Sequence, residues 1–279
     1  MKLNIQKTLR RQRDVQSVLA STEEEGRVIA KMSLDKEGEI KLDREYKNQM
    51  FLVELSQKED LGFDFLKPQM KENILIYPYL NNVQWLADDE FKSIAAPEEY
   101  LDSVFRLEKK LHSLEKDDIP KEIIKDSEER NETRSKNLEK DLEYVSKNGI
   151  VVDGLPNDIL SIIRSGIEDV HYQHHDVVPW HMAQSGDRLI LIDPGWAGLS
   201  FKYYDLAYLM LQLVGYGGKK KDADMIKHKV KEEFGREDNF EVNFKASLLY
   251  RYLKLSRELY EQGAMKSLEQ LNSFVKNAI

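Results

Sequence analysis

The feature that constrains this chain most is an apolar run that stops abruptly. Leu189-Ile190-Leu191-Ile192 reads as a buried strand, and it ends in Asp193-Pro194-Gly195. A proline and a glycine do not continue such a strand, so the acid is presented at a strand end beside a turn. Upstream, Gln184-Ser185-Gly186-Asp187 reads as a polar hairpin tip. Before it, Asp176 sits in a turn rich in histidine, with His171, His174, His175 and His181 nearby in sequence. A hairpin with Asp176 before it and Asp193 after it brings both carboxylates to one end. Strand ends on a rigid scaffold are where a cleft can be lined with polar groups in fixed geometry. Two converging carboxylates can share a divalent ion, or one can hold the ion while the other handles a proton. Hard oxygen donors favour Mg2+ or Mn2+. Further on, Asp205 opens an apolar helix at Tyr204-Asp205-Leu206-Ala207.

Composition excludes several classes. With 279 residues the chain is long enough for one large or two-lobed domain with an ample core. A net charge of −8 argues against nucleic acid as the main partner, which would call for a basic face. The same charge is compatible with a cationic small substrate. Without cysteine there are no disulfides, no cysteine-based zinc sites and no thiol catalysis, and a reducing compartment is compatible. The first residues, MKLNIQKTLRRQRD, lack an apolar signal core. No run approaches the roughly 18 apolar residues of a membrane span. The expected location is the cytoplasm, with no membrane partner.

The order of elements predicts an α+β fold. Residues 1 to about 80 are strand-rich, with candidate strands at Val15 to Ala20, Arg27 to Leu34, Phe63 to Met70 and Asn73 to Leu80. The second of these alternates: Val28, Ala30 and Met32 face one way and Ile29 and Lys31 the other. Between the strands, Asp43 to Gln57 has helical period, with Leu42, Tyr46, Met50 and Val53 on one face and Glu45 beside it. From Trp85 the chain reads as helical, first over Pro97 to Glu115. A very charged helix runs from Pro120 to about Lys147, with almost no apolar face in its middle. That suits a solvent-facing helix, a mobile insertion or a partner surface. Asn157 or Asp158 is a candidate cap for a helix from Ile159 to Ile167. After Asp205 an apolar helix meets Gly215, Gly217 and Gly218. Lys219, Lys220 and Lys221 follow as a solvated helix start, and further amphipathic helices carry the stripe Leu248, Tyr252, Leu255 and Leu259.

His174-His175-Asp176, Leu191-Ile192-Asp193 and Tyr204-Asp205-Leu206-Ala207 together resemble the catalytic segment of the aminoglycoside phosphotransferase and choline kinase family, which shares the protein-kinase fold. The resemblance implies two lobes: a small antiparallel sheet with one helix over residues 1–80, and a larger helical lobe over 81–279 with the catalytic segment at 171–210. It implies an ATP-dependent phosphotransferase acting on a small hydroxylated acceptor. Asp176 would be the catalytic base and Asp193 a ligand of Mg2+ on the nucleotide phosphates. Asp205, with His174, would brace the catalytic loop. Val28-Ile29-Ala30-Lys31 resembles the strand whose lysine contacts the α- and β-phosphates, and Glu45 would pair with that lysine. Alternatively Lys31 is an edge-strand charge and Glu45 a surface acid near a helix start. Ile74 to Leu80 looks like the hinge between lobes, where the Tyr77 carbonyl and the Tyr79 amide would meet adenine.

Two positions depart from the family pattern. The metal-binding asparagine five residues after the base is His181 here, a nitrogen donor better suited to Mn2+ than to Mg2+. The glycines that let backbone N–H groups approach the phosphates are absent from the matching Thr8 to Asp14, which carries Arg10, Arg11 and Arg13 instead. These arginines either take over the phosphate contact or form a solvated basic turn. Trp180 and Trp196 flank the two acids, as packed core or as an aromatic wall for a cationic or planar substrate. The departures leave a second class open, a non-catalytic nucleotide-binding protein of the same fold. A third class, a metal-dependent phosphohydrolase, rests on the histidines around Asp176.

Overall fold

A computed structural model of the protein describes residues 3–88, 91, 93–150, 158–166 and 169–279. The N-terminal part is built on a five-stranded antiparallel sheet. Its strands are β1 (Asn4–Arg11), β2 (Val15–Thr22), β3 (Gly26–Ser33), β5 (Gln69–Lys71) and β6 (Ile74–Pro78), in the order β1-β2-β3-β6-β5. Period-two patterning sorts their side chains. Val18, Ala20, Val28, Ala30 and Ile76 are buried together on one face. On the other, Leu75 and Tyr77 pack with Leu42 of helix α1 (Lys36–Lys58). The turn from β2 to β3 needs Gly26, whose φ of +69° is left-handed. Strand β3 lies inside the sheet, so the edge-charge reading of Lys31 does not hold.

The C-terminal part is mainly helical: α2 (Leu101–His112), α3 (Lys121–Lys147), α4 (Ile159–Gly166), α5 (Tyr204–Gly215), α6 (Lys220–Phe234), α7 (Phe240–Glu261) and α8 (Met265–Ala278). Helix α5 is apolar nearly all round and is accordingly buried along almost its whole length. Leu248, Tyr252, Leu255 and Leu259 form the buried stripe of α7. Two small sheets seat the functional segment. One has the order β4-β10-β9-β7, from β4 (Asp64–Phe65), β7 (Gln84–Trp85), β9 (Met182–Ser185) and β10 (Arg188–Leu191). The other pairs β8 (Val170–Gln173) with β11 (Gly198–Phe201). In the first, β9 and β10 form the expected hairpin, and β4 runs parallel to β10, tying the N-terminal part to it.

Several boundaries differ from the sequence expectation. The segment from Phe63 to Met70 is not one strand: β4 and β5 belong to different sheets. Thr8 to Arg11 is strand rather than loop, leaving only Gln12, Arg13 and Asp14 in the turn. Helix α1 begins at Lys36 because Asp35 caps it, accepting from the Gly38 N–H at 2.8 Å. The stretch after Trp85 is not wholly helical, since β8 to β11 lie within it. Asn157 and Ile167, the outer limits proposed for α4, lie outside the described residues.

Candidate active site

Lysine 31 on β3 reaches across to two carboxylates. Its Nζ lies 2.7 Å from Glu45 Oε1 on α1 and 3.0 Å from Asp193 Oδ1 beyond β10. The Tyr77 hydroxyl also donates to Glu45 Oε1, at 2.7 Å. Glu45 is buried, so it is not a surface acid. Burial pulls the Lys31 ammonium down, but Asp193 and Glu45 outweigh it and hold the pKa above the ordinary lysine value. For Asp193 burial raises the carboxyl, and Lys31 with His181 overrides it and keeps the pKa below the usual carboxylate range. For Glu45 burial wins and the pKa rises despite Lys31. The lysine is thus shared by two acids, with Asp193 the more acidic.

Asp193 stands at a sharp corner. Its φ is +65°, a left-handed conformation uncommon for a non-glycine residue, though aspartate tolerates it better than most. The Ile192 N–H donates to the His181 carbonyl at 3.0 Å, closing the hairpin mouth. One donor atom each from Asp176, His181 and Asp193 lie within 4.8 Å of one another, and no other such cluster occurs among the described residues. His181 Nδ1 is 3.3 Å from Asp176 Oδ2. Burial pulls the imidazole down, but Asp176 and Asp193 raise it to about 9, so it is cationic at neutral pH in this geometry. Asp193, held ionised, fits a divalent cation, and His181 would join it by giving up its proton on metal binding, the nitrogen donor then favouring Mn2+.

The bracing residues lie behind this cluster. Asp205, fully buried, accepts from the backbone N–H of His174 at 2.7 Å. The His174 ring is buried near Phe65, with 6.4 Å between centroids, and burial lowers its pKa to about 4. His175 has φ +71° and stacks on Tyr204 at 4.5 Å, so it is a packed residue and not merely a polar turn residue. His171 is held by the His112 carbonyl at 2.9 Å and Asp169 at 2.8 Å, away from the acid cluster. Trp180 lies edge-on to Phe91 at 4.7 Å. Trp196 is neither core nor free wall: it is half exposed, with the Arg44 guanidinium 5.7 Å over its ring. Tyr79 follows β6 with the Arg27 guanidinium 5.8 Å over its ring.

In the first hairpin, the Gln12 N–H bonds the Val15 carbonyl at 2.9 Å, and Asp14 pairs with Lys41 on α1. The turn is therefore tied down, while Arg10 and Arg11 at the end of β1 and Arg13 in the turn stay exposed. Arg10 pairs with Ser17 and Ser17 with Lys31, which puts Arg10 and Lys31 on one face of the sheet two strands apart.

The charged helix α3 departs from expectation in part. Most of its middle is exposed, as expected, but one side meets the functional segment: Arg130 donates to the Trp196 and Ala197 carbonyls at 2.7 and 2.8 Å, and Asn131 to the Leu199 carbonyl at 3.0 Å. Arg134 lies 3.2 Å from His175 Nδ1. Asn48 of α1 was also missed. It is buried and donates to the Pro194 and Ala197 carbonyls at 3.2 and 3.0 Å. A polar residue one helical turn after Glu45, on the inward face, was its signal.

This architecture, with a lysine on an inner strand and two acids at the hairpin mouth, is a protein-kinase-like fold of the kind small-molecule phosphotransferases adopt. The solved structures it resembles include a macrolide 2'-phosphotransferase type I, at 13% identity and TM-score 0.56, covering 98% of this chain and 92% of that one. A streptomycin–ATP ternary complex of APH(2")-IIa matches at 16% identity and TM-score 0.56, covering 99% and 93%. The choline kinase LicA from Streptococcus pneumoniae matches at 16% identity and TM-score 0.52, covering 99% and 94%. At these identities the likeness is one of fold. No family model matches the sequence, and no curated protein matches it.

Proposed function

We propose that the protein is an ATP-dependent phosphotransferase that moves the γ-phosphoryl group to a hydroxyl of a small acceptor. The observation that carries this is the convergence of Lys31, Glu45 and Asp193, with Asp176 and His181 beside them. Asp176 orients the acceptor hydroxyl and takes its proton as the oxygen attacks phosphorus. The new O–P bond forms as the bond to the ADP oxygen breaks. Lys31 holds the α- and β-phosphates, positioned by Glu45. Asp193 and His181 would hold a divalent ion, Mg2+ or Mn2+, which supplies charge stabilisation on the phosphate oxygens. Arg10 stands in for the missing glycine-loop amides. The Tyr77 carbonyl and the Tyr79 amide receive adenine, and the lobe boundary falls near residue 80. The net charge of −8 suits a cationic acceptor, and no described helix is long and apolar enough to cross a membrane. We place the activity in the cytoplasm.

A non-catalytic nucleotide-binding role is the second reading. It is favoured by His181 and by the glycine-free first turn. Calorimetric titration with ATP and Mg2+ or Mn2+ tests the site assignment. Asp193→Ala should lose metal-dependent nucleotide binding, while Asp176→Ala should keep it. If both variants bind as the parent does, the assignment fails.

A further inference from the structure

We infer that Arg130, with Asp126, is a positioning residue for the nucleotide–metal site, acting from helix α3 through the segment that follows Asp193. The inference rests on the phosphotransferase reading for its purpose but not for its geometry.

The segment from Pro194 to Leu199 has no regular structure of its own until β11, yet its carbonyls are occupied. Asn48 takes those of Pro194 and Ala197, Arg130 those of Trp196 and Ala197, and Asn131 that of Leu199. The donors come from two helices, α1 and α3. Asp126 joins them: its two carboxylate oxygens pair with Arg44 Nε at 2.9 Å and Arg130 Nε at 2.8 Å. Arg44 precedes Glu45 on α1, and Arg130 holds the chain three residues after Asp193. One carboxylate–diguanidinium bridge therefore links the helix bearing the lysine's first partner to the loop bearing its second.

The bridge is buried enough to matter. The Arg130 side chain is 12% exposed, and desolvation, with Arg134 and Arg44 nearby, lowers its pKa to about 10, still cationic at neutral pH. The Arg130 guanidinium donates through Nη1 and Nη2 to the two carbonyls while its charge pairs with Asp126; an ammonium cannot match that fork. Gly198 fits the same seat. A Cβ there would lie 2.2 Å from Ser127 Oγ and 2.5 Å from Arg130 Nη2, so α3 is pressed directly onto the loop. The left-handed Asp193 still costs backbone energy, though an aspartate tolerates that region better than most residues, and a held loop keeps it there. A charged surface helix is thereby explained as a strut between the two lobes.

The test compares Arg130→Ala and Arg130→Lys with Asp141→Asn. Asp141 also lies on α3, paired with Arg257 and Lys254 at 2.9 Å, far from the loop in sequence. The readouts are the affinity for ADP with Mn2+ by calorimetry and hydrogen exchange of the amides at 195–199. Arg130→Ala should weaken binding about tenfold and speed that exchange, as loss of an outer support for a metal site does. Arg130→Lys should fall between it and the parent. Asp141→Asn should lower thermal stability with affinity and loop exchange unchanged. If Arg130→Ala does not fold, Arg130→Lys decides by the same two readouts. If the parent itself fails to bind ADP with Mn2+, the phosphotransferase reading falls and the exchange alone decides this inference. The proposal is overturned if Arg130 variants exchange at 195–199 like the parent, or if Asp141→Asn has the same effect.

Discussion

At the scale of single residues, the candidate site rests on one lysine and two acids, and the proposal adds an arginine to it. Lys31 is fixed by Glu45 and Asp193 at hydrogen-bond distance, so it is pre-positioned for anionic oxygens. Arg10 shares its sheet face two strands away, roughly 10 Å at the usual strand spacing. A long guanidinium side chain can span much of that gap to a phosphate held at Lys31. Removing a charge-assisted contact to phosphate costs about 1.5–3 kcal/mol. Arg10→Ala should therefore raise the KM for ATP about tenfold or more with little change in kcat, measured in steady state against nucleotide. An unchanged KM would return the arginine to the status of a solvated surface charge. These residues were legible in the sequence because each breaks a local pattern: a lysine inside an apolar strand, an acid at the end of one. Asn48 had only its place a helical turn after Glu45 as a signal, and Arg130 and Arg134 had none, because a polar residue that reaches a buried loop reads like any surface polar residue.

At the scale of elements, helix α2, which packs against β8, carries an unusual pair. Glu108 is fully buried, 2.8 Å from His112 Nε2. Burial pushes the Glu108 carboxyl up to about 8 from an ordinary 4.5, and burial holds His112 down to about 3 from 6.5. Both shifts favour the neutral form. The folded protein holds the Glu108 proton more tightly than the unfolded chain does. Its contribution is full below about 4.5 and is lost as pH climbs towards 8. For His112 the contribution is full above about 6.5 and is lost as pH falls towards 3. Glu108→Gln cannot ionise, so between pH 5 and 8 its melting temperature should fall less than the parent's. The difference should be on the order of a few degrees. Parallel melting curves would contradict this. On the opposite side, Gly198 has φ +149° and no room for a Cβ against α3. Gly198→Ala should lower stability by roughly 1–3 kcal/mol in denaturant unfolding, from backbone strain and overpacking together.

Element boundaries show where the sequence was ambiguous. The β9–β10 hairpin and the α5 start were readable from a polar tip between apolar runs and from an acid heading an apolar helix. Strands β8 and β11 were not: each has four residues, and their buried faces carry no clear alternation. The start of α1 was hidden by Gly38, which reads as a turn residue, although Asp35 with Glu37 and Glu39 after it is a helix-start signature.

At the scale of the whole molecule, the strand-then-helix order predicted the α+β architecture, and the similar solved structures share that fold over nearly their full length. What the order did not disclose is how the lobes are joined. Strand β4 pairs with β10, and α3 links α1 to the loop after Asp193. The site lies between these connections, so its geometry depends on both lobes at once. The most direct measurement is transfer of labelled γ-phosphate from ATP, with Mg2+ and with Mn2+, to a panel of small hydroxylated acceptors, for the parent and for Asp176→Asn. Labelled product from the parent, falling at least a hundredfold in Asp176→Asn while ATP still binds, is the predicted result. ATP binding by the parent with no labelled product on any acceptor and either metal would contradict catalysis and leave a nucleotide-binding protein.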